Sequence, residues 1–302
     1  MFKMEGIYAP MACIFESDMG PIALDKIAEN VKKYNETKLA GIVVMGSNGE
    51  FVYLSHEEKL AFIKTVCDNI AEDKHVIVGT GCETTAETIQ LCKEAAELGA
   101  DAALVLSPNY YKKAMQSDRV MEQFYLDVAD NSPIPVILYN MPGNSGINIS
   151  SAMSAKLAKH PNIIGEKDSG GNITQIAETI RDTQGEDFTE FAGSASFLMA
   201  TTMLGGKGGT LALANVLPDE CVKMFELAKA GEIEKAAKAQ LYLLAANAAV
   251  TAQFGIAGLK AGLEHMGYHG GSPRKPMLPQ TAENVAKVCA ILDKAKADMA
   301  TL

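Results

Sequence analysis

The sequence has no tryptophan, only five histidines, and no two cysteines spaced C-x-x-C. Without an H-E-x-x-H pair or clustered thiolates, the ligand spacing of a zinc site is missing, and no metal is expected. The six cysteines, Cys13, Cys67, Cys82, Cys92, Cys221 and Cys289, are scattered and read as reduced and buried. Long apolar stretches are also lacking: none reaches the roughly 18 residues that span a bilayer. Met1 to Pro10 carries no charged-then-apolar leader, so the expectation is a cytoplasmic protein. Basic charge is in deficit, with 27 Lys and Arg against 37 Asp and Glu, a formal net charge of -10. That argues against a sequence-independent grip on nucleic acid, which needs clustered cations to displace counterions. The partner expected is a small molecule.

Two glycine runs fail the tests for nucleotide binding. Gly205-Gly206-Lys207-Gly208-Gly209 lacks the Lys-Ser/Thr ending of a phosphate loop, and Gly79-Thr80-Gly81 lacks the third glycine of a dinucleotide fingerprint. Nucleotides are therefore not implied.

What the 302 residues do contain is alternation. Short, almost continuously apolar runs are separated by longer amphipathic stretches, the pattern of a parallel sheet whose strands are covered on both faces. Eight runs can be counted: Ile7 to Ile14, Gly41 to Met45, His75 to Gly79, Ala102 to Leu106, Ile134 to Tyr139, Ile163 to Lys167, Phe188 to Ala192 and Thr210 to Ala214. Eight such units predict an α/β fold of the (β/α)8, or TIM-barrel, kind. Ser55 with Glu58, and Thr84 with Glu87, have the spacing of helix-opening capping boxes. From Pro218 onward the sequence is rich in Ala, Leu and Lys and shows no further strand, so residues 1–217 read as a catalytic barrel and 218–302 as a C-terminal helical appendage packed on it. The Gly- and Pro-rich segment Gly267 to Pro279 reads as a loop within that appendage.

A barrel of this kind builds its active site at the C-terminal ends of its strands. There the runs end in Gly46-Ser47-Asn48-Gly49-Glu50, Ser107-Pro108-Asn109-Tyr110-Tyr111, Tyr139-Asn140, Glu166-Lys167-Asp168-Ser169-Gly170-Gly171 and Gly193-Ser194. Lys167 is the informative residue. Desolvated in the mouth it would supply the neutral amine that attacks a ketone; equally, it could be a structural ion pair with Glu166 or Asp168. By the period of two, those carboxylates should point away from the lysine. Tyr139, on the neighbouring strand, could relay a proton or simply pack. The Gly46 to Glu50 loop could turn backbone N–H groups onto a carboxylate or be an ordinary turn.

Taken as a set, Gly46-Ser47-Asn48-Gly49-Glu50, Tyr139-Asn140-Met141-Pro142 with Gly146, and Gly165-Glu166-Lys167-Asp168 resemble the dihydrodipicolinate synthase and N-acetylneuraminate lyase superfamily, from Gly6 to about Pro279. The resemblance implies a pyruvate-dependent class I aldolase in which Lys167 forms an imine with the substrate and Tyr139 relays protons. It implies that Ser47 links that tyrosine to a second one, Tyr110 rather than Tyr111, reaching in from a neighbouring subunit of a homo-oligomer, dimer or tetramer. Amides of Ser47 and Asn48 would hold the carboxylate of pyruvate, with Asn144, Ser169 and Gly193 as further substrate contacts. Synthases of the superfamily usually carry arginine two residues after the proline of the Tyr-Asn-x-Pro loop, where this chain has Asn144. Stretches such as Ala192 to Ala200, Asn247 to Thr251 and Phe254 to Lys260 look closest to 4-hydroxy-2-oxoglutarate aldolase. The rival readings are the synthase, an N-acetylneuraminate or keto-deoxy sugar-acid lyase, and a barrel that only senses a keto acid.

Overall fold

The computed structural model describes residues 2–302. Its strands are β1 (Gly6–Pro10), β2 (Gly41–Val44), β3 (His75–Gly79), β4 (Ala102–Leu106), β5 (Val136–Asn140), β6 (Ile163–Asp168), β7 (Thr189–Ala192) and β8 (Gly208–Thr210). All pairs are parallel and the order β1 to β8 closes, with β8 returning to β1 through Gly6 opposite Gly208 and Tyr8 opposite Thr210. This is the predicted (β/α)8 barrel.

Around and beyond it lie α1 (Leu24–Asn35), α2 (His56–Asn69), α3 (Thr85–Glu97), α4 (Lys112–Met115), α5 (Asp118–Asn131), α6 (Pro142–Ser145), α7 (Ser151–Leu157), α8 (Ile173–Asp182) and α9 (Leu198–Met203). The C-terminal third adds α10 (Pro218–Lys229), α11 (Ile233–Ala248), α12 (Gly255–His265) and α13 (Ala282–Met299). No helix among the described residues is long and apolar enough to cross a membrane. Ser55 and Glu58 form the full capping box at the start of α2. At α3 the Thr84 hydroxyl accepts from the Glu87 amide, but the Glu87 carboxylate accepts a hydrogen bond from that hydroxyl and not from the Thr84 amide. Only Cys13, Cys92 and Cys221 are buried; Cys67, Cys82 and Cys289 are half-buried.

Alternation along each strand divides the core into two shells. Tyr8, Val43, Ile77, Leu104, Ile137, Tyr139 and Phe191 fill the barrel interior, while their neighbours Ile7, Ile42, Val44, Val76 and Val78 face the helices. The outer core is continuous from Ile7 through Leu243 and Leu259 to Val288 and Met299, so the C-terminal helices share it with the barrel.

Two strand predictions need correction. The eighth strand lies at Gly208–Thr210, and Ala212–Asn215 is a 3₁₀ turn. A Cβ on Gly208 would come within 1.9 Å of the Gly6 carbonyl oxygen, so the closing strand needs glycine where a reader looks for β-branched residues. The first run leaves the ladder after Pro10, although Met11 to Ile14 stay buried, because apolarity reports burial and not strand pairing. A β-bulge interrupts the β5–β6 pair: Val136 faces Ile163, whereas Ile137 already faces Gly165.

Candidate active site

Past the bulge, Tyr139 pairs with Lys167 and Asn140 with Asp168. Lys167 is 3 % exposed and its Nζ lies 4.1 Å from the centroid of the Tyr139 ring. Three lysines are buried. Lys74 donates to the carbonyls of Thr37 and Leu39, and Lys260 is ion-paired to Glu50 at 2.7 Å. Lys167 has no carboxylate within ion-pair distance among the described residues, so the salt-bridge alternative falls away for it. Glu166 and Asp168 point outward, as the alternation requires: Glu166 accepts from the Ser154 hydroxyl of α7, and Asp168 organises the loops around the mouth.

The Tyr139 hydroxyl lies 3.2 Å from Ser47 Oγ. Burial pushes the phenol's pKa up, but the positive charge of Lys167 and hydrogen bonds from Ser47, Lys167 and Ser169 outweigh it and hold Tyr139 below the ordinary value. Ser47 and Asn48 open a 3₁₀ turn, Ser47–Gly49, bracketed by two non-glycine residues in left-handed backbone, Met45 (φ 58°) and Glu50 (φ 53°). Such conformations cost on the order of 1–3 kcal/mol each and persist where the surroundings over-determine them. The amides of Ser47 and Asn48 have no acceptor among the described residues, since the turn's own bonds run from Gly49 to Gly46 and from Glu50 to Ser47.

Asp168, which the alternation turns away from Lys167, organises the loops around the mouth. It accepts from the Asn140 side chain at 2.7 Å and from the backbone amides of Gly170 and Gly171 at 2.8 and 3.0 Å. Asn140 in turn donates to Asn148 and accepts from the Ile149 amide, and Asn148 bonds Gln175 of α8. Neither Asn148 nor Gln175 gave any signal in the sequence, because the bond that joins them spans 27 residues. The result is that the β5 loop and the β6 loop are tied to one buried carboxylate.

Ser169 stands at the mouth, its amide bonded to the Asn140 carbonyl. Gly193 donates its own amide to the Asp168 carbonyl, and a Cβ on it would lie 2.0 Å from Ser169 Oγ. Gly193 therefore serves by leaving room for Ser169. Asn144 is exposed on α6, its side chain without a partner among the described residues. Tyr110 is not brought to Ser47 within this chain. It is 79 % exposed, packs edge-on against the equally exposed Tyr111, and is set by Glu83, which accepts the amides of Asn109 and Tyr110.

A buried, unpaired lysine at the end of the sixth strand of a parallel barrel, with a phenol and a hydroxyl converging beside it, defines a barrel enzyme equipped for amine chemistry on a carbonyl. Comparison with known proteins gives the particular family. Residues 3–295 match the model of the dihydrodipicolinate synthetase family, and the chain belongs to that family; it is a carbon–carbon lyase of class I. It is 38% identical over 288 residues, 93% of this chain and 91% of the relative, to a probable mitochondrial 4-hydroxy-2-oxoglutarate aldolase of Emericella nidulans. It is 35% identical over 284 residues, 90% of both chains, to an L-threo-3-deoxy-hexylosonate aldolase of Hypocrea jecorina. A dihydrodipicolinate synthase structure from Bacillus anthracis superposes with a TM-score of 0.91 at 30% identity, covering 97% of this chain and 99% of that one.

Proposed function

We propose that the protein cleaves 4-hydroxy-2-oxoglutarate to pyruvate and glyoxylate through an imine on Lys167. The observation that carries this is the pairing of a buried amine free of carboxylates with the Tyr139–Ser47 hydroxyl pair. Lys167 Nζ attacks the 2-oxo carbon and water leaves. The protonated imine draws electrons as the C3–C4 bond breaks, and Tyr139 takes the proton of the 4-hydroxyl while glyoxylate departs. Protonation of the enamine carbon and hydrolysis return pyruvate and the free amine. The imine is the electron sink, so the reading asks for no metal or organic cofactor.

The amides of Ser47 and Asn48 take the carboxylate beside the reacting carbonyl, and Asn48, Asn144 and Ser169 serve the distal carboxylate. The neutral Asn144, with the small groups Ser47, Ser169 and Gly170 leaving room, supports a short dicarboxylate over the synthase reaction. Tyr110 completes Ser47 and Tyr139 in a neighbouring subunit. In support, Val52, Tyr110 and Tyr111 are exposed side chains on the face around Glu83, where a homo-oligomer would cover them. The relatives include a mitochondrial protein, and a cytoplasmic location stays part of the proposal. A substrate panel read by pyruvate release, with borohydride trapping on Lys167, tests the reading.

A further inference from the structure

The turn that carries Ser47 and Asn48 ends in Glu50, whose side chain is fully buried. Glu50 Oε1 lies 2.7 Å from Lys260 Nζ, with both side chains at 1 % exposure or less. Oε2 accepts the backbone amide of Arg274 at 2.8 Å. Lys260 also donates to the Ser272 carbonyl at 2.9 Å, and its ammonium sits 4.6 Å from the centroid of the Phe15 ring. Arg274 covers the same ring at 4.2 Å and forks onto Glu58, both contacts 2.7 Å, while donating to the Tyr53 carbonyl. The segment from Glu50 to Glu58 is thus gripped from behind by α12 and by the loop that follows it.

Nothing in the carbon–carbon chemistry needs Lys260 to be buried. Desolvating two charges is expensive, so a pair like this fixes a geometry more than it adds stability. The geometry at stake is the left-handed Glu50 and the 3₁₀ turn before it. We propose that Lys260 and Glu50 are positioning residues: their buried ion pair holds the amides of Ser47 and Asn48 converged on the substrate's carboxylate. This makes α12 part of the catalytic unit, and it rests on the imine reading of Lys167.

The test is borohydride trapping on Lys167, located by mass spectrometry, with two ketones: pyruvate, and acetone, which lacks the carboxylate. The protein with Lys260→Met and Glu50→Gln together leaves no uncompensated charge buried. We expect its half-saturating pyruvate to rise about tenfold or more, the shift for losing one charge-assisted hydrogen bond. Acetone trapping should stay within about threefold of wild type, because no carboxylate is involved. An equal loss for both ketones, or an unchanged preference for pyruvate, overturns the inference. Should the double variant not fold, Glu50→Gln alone goes through the same comparison, decided by the same outcomes. Absence of label on Lys167 in the wild-type protein would overturn the imine reading itself, and this inference with it.

Discussion

Lys167 and Tyr139 face each other across the β5–β6 ladder, the amine nitrogen 4.1 Å from the centre of the phenol ring. The charge of the lysine, with hydrogen bonds from Ser47, Lys167 and Ser169, lowers the tyrosine's pKa despite burial. In the proposed mechanism one forms a bond to the substrate and the other only moves a proton, so amine and phenol should be separable by experiment.

Reduction with borohydride in the presence of pyruvate should leave a stable adduct on Lys167 in the wild-type protein and none in Lys167→Ala. Peptide mapping reads the result. Label on Lys74 or Lys260, or full labelling of the alanine variant, would remove Lys167 from the mechanism.

Tyr139→Phe should keep pyruvate trapping in part while kcat falls by roughly two to four orders of magnitude, the usual weight of general acid–base catalysis. The fold should survive, as only a hydroxyl is lost. Turnover near the wild-type rate would make Tyr139 a packing residue.

If Tyr110 completes a neighbour's site, Tyr110→Ala and Lys167→Ala proteins should each be weak alone, yet regain activity when refolded together. In a mixed dimer one site has both residues intact, so recovery of about a quarter of wild-type activity is expected. Sedimentation should show a dimer or larger. No recovery on mixing would place Tyr110 outside the shared site.

If Asn144 stands where a synthase carries arginine, it should decide substrate choice. Pyruvate release from 4-hydroxy-2-oxoglutarate should exceed that from N-acetylneuraminate, and condensation with aspartate semialdehyde should be poor. A neutral amide in place of a guanidinium loses on the order of 1.5–3 kcal/mol at a carboxylate, roughly ten- to a hundredfold in kcat/KM. Efficient synthase turnover without aldol cleavage would assign the chain to the other branch of its family.

Glu166 and Glu190 are paired in the β6–β7 ladder, both buried, and Glu190 makes no hydrogen bond among the described residues. Burial pushes Glu166 up to about 8, against the Ser154 hydrogen bond and helped by Asp168; Glu190 is raised for the same first reason. A carboxyl held neutral in the fold favours folding below its unfolded pKa, and that advantage is lost as pH rises toward the folded value. Stability should therefore fall between about pH 4.5 and pH 8. Glu190→Gln should flatten the fall and raise stability at the alkaline end. Melting curves across that range check it, and an unchanged slope would contradict the account.

Much of this molecule could be read from its sequence because most of the eight runs are apolar on both faces and end in polar residues, which marks strand, barrel and mouth together. Lys167, Tyr139 and Ser47 were legible as strand-end residues. Gly208 was not, since its strand exists through close backbone approach and not through side-chain type. The Glu50–Lys260 contact was hidden for another reason: its partners are 210 positions apart and nothing in the sequence joins them. Asn148 and Gln175 matter through the network they form with Asn140 and Asp168, whose members come from different loops.

The bulge between Val136 and Ile137 has a consequence for anyone wishing to move this chemistry elsewhere. Ile163 faces the helices and Ile164 the barrel interior; strict alternation from there would turn Glu166 inward and Lys167 out. The irregular step resets the parity, so that Gly165 stands opposite Ile137 and the amine, not the carboxylate, enters the barrel. Transplanting the tetrapeptide Gly165 to Asp168 with Ile163 and Ile164 into an unbroken strand would present an acid where a nucleophile is wanted. A working graft must carry the irregularity along with the lysine.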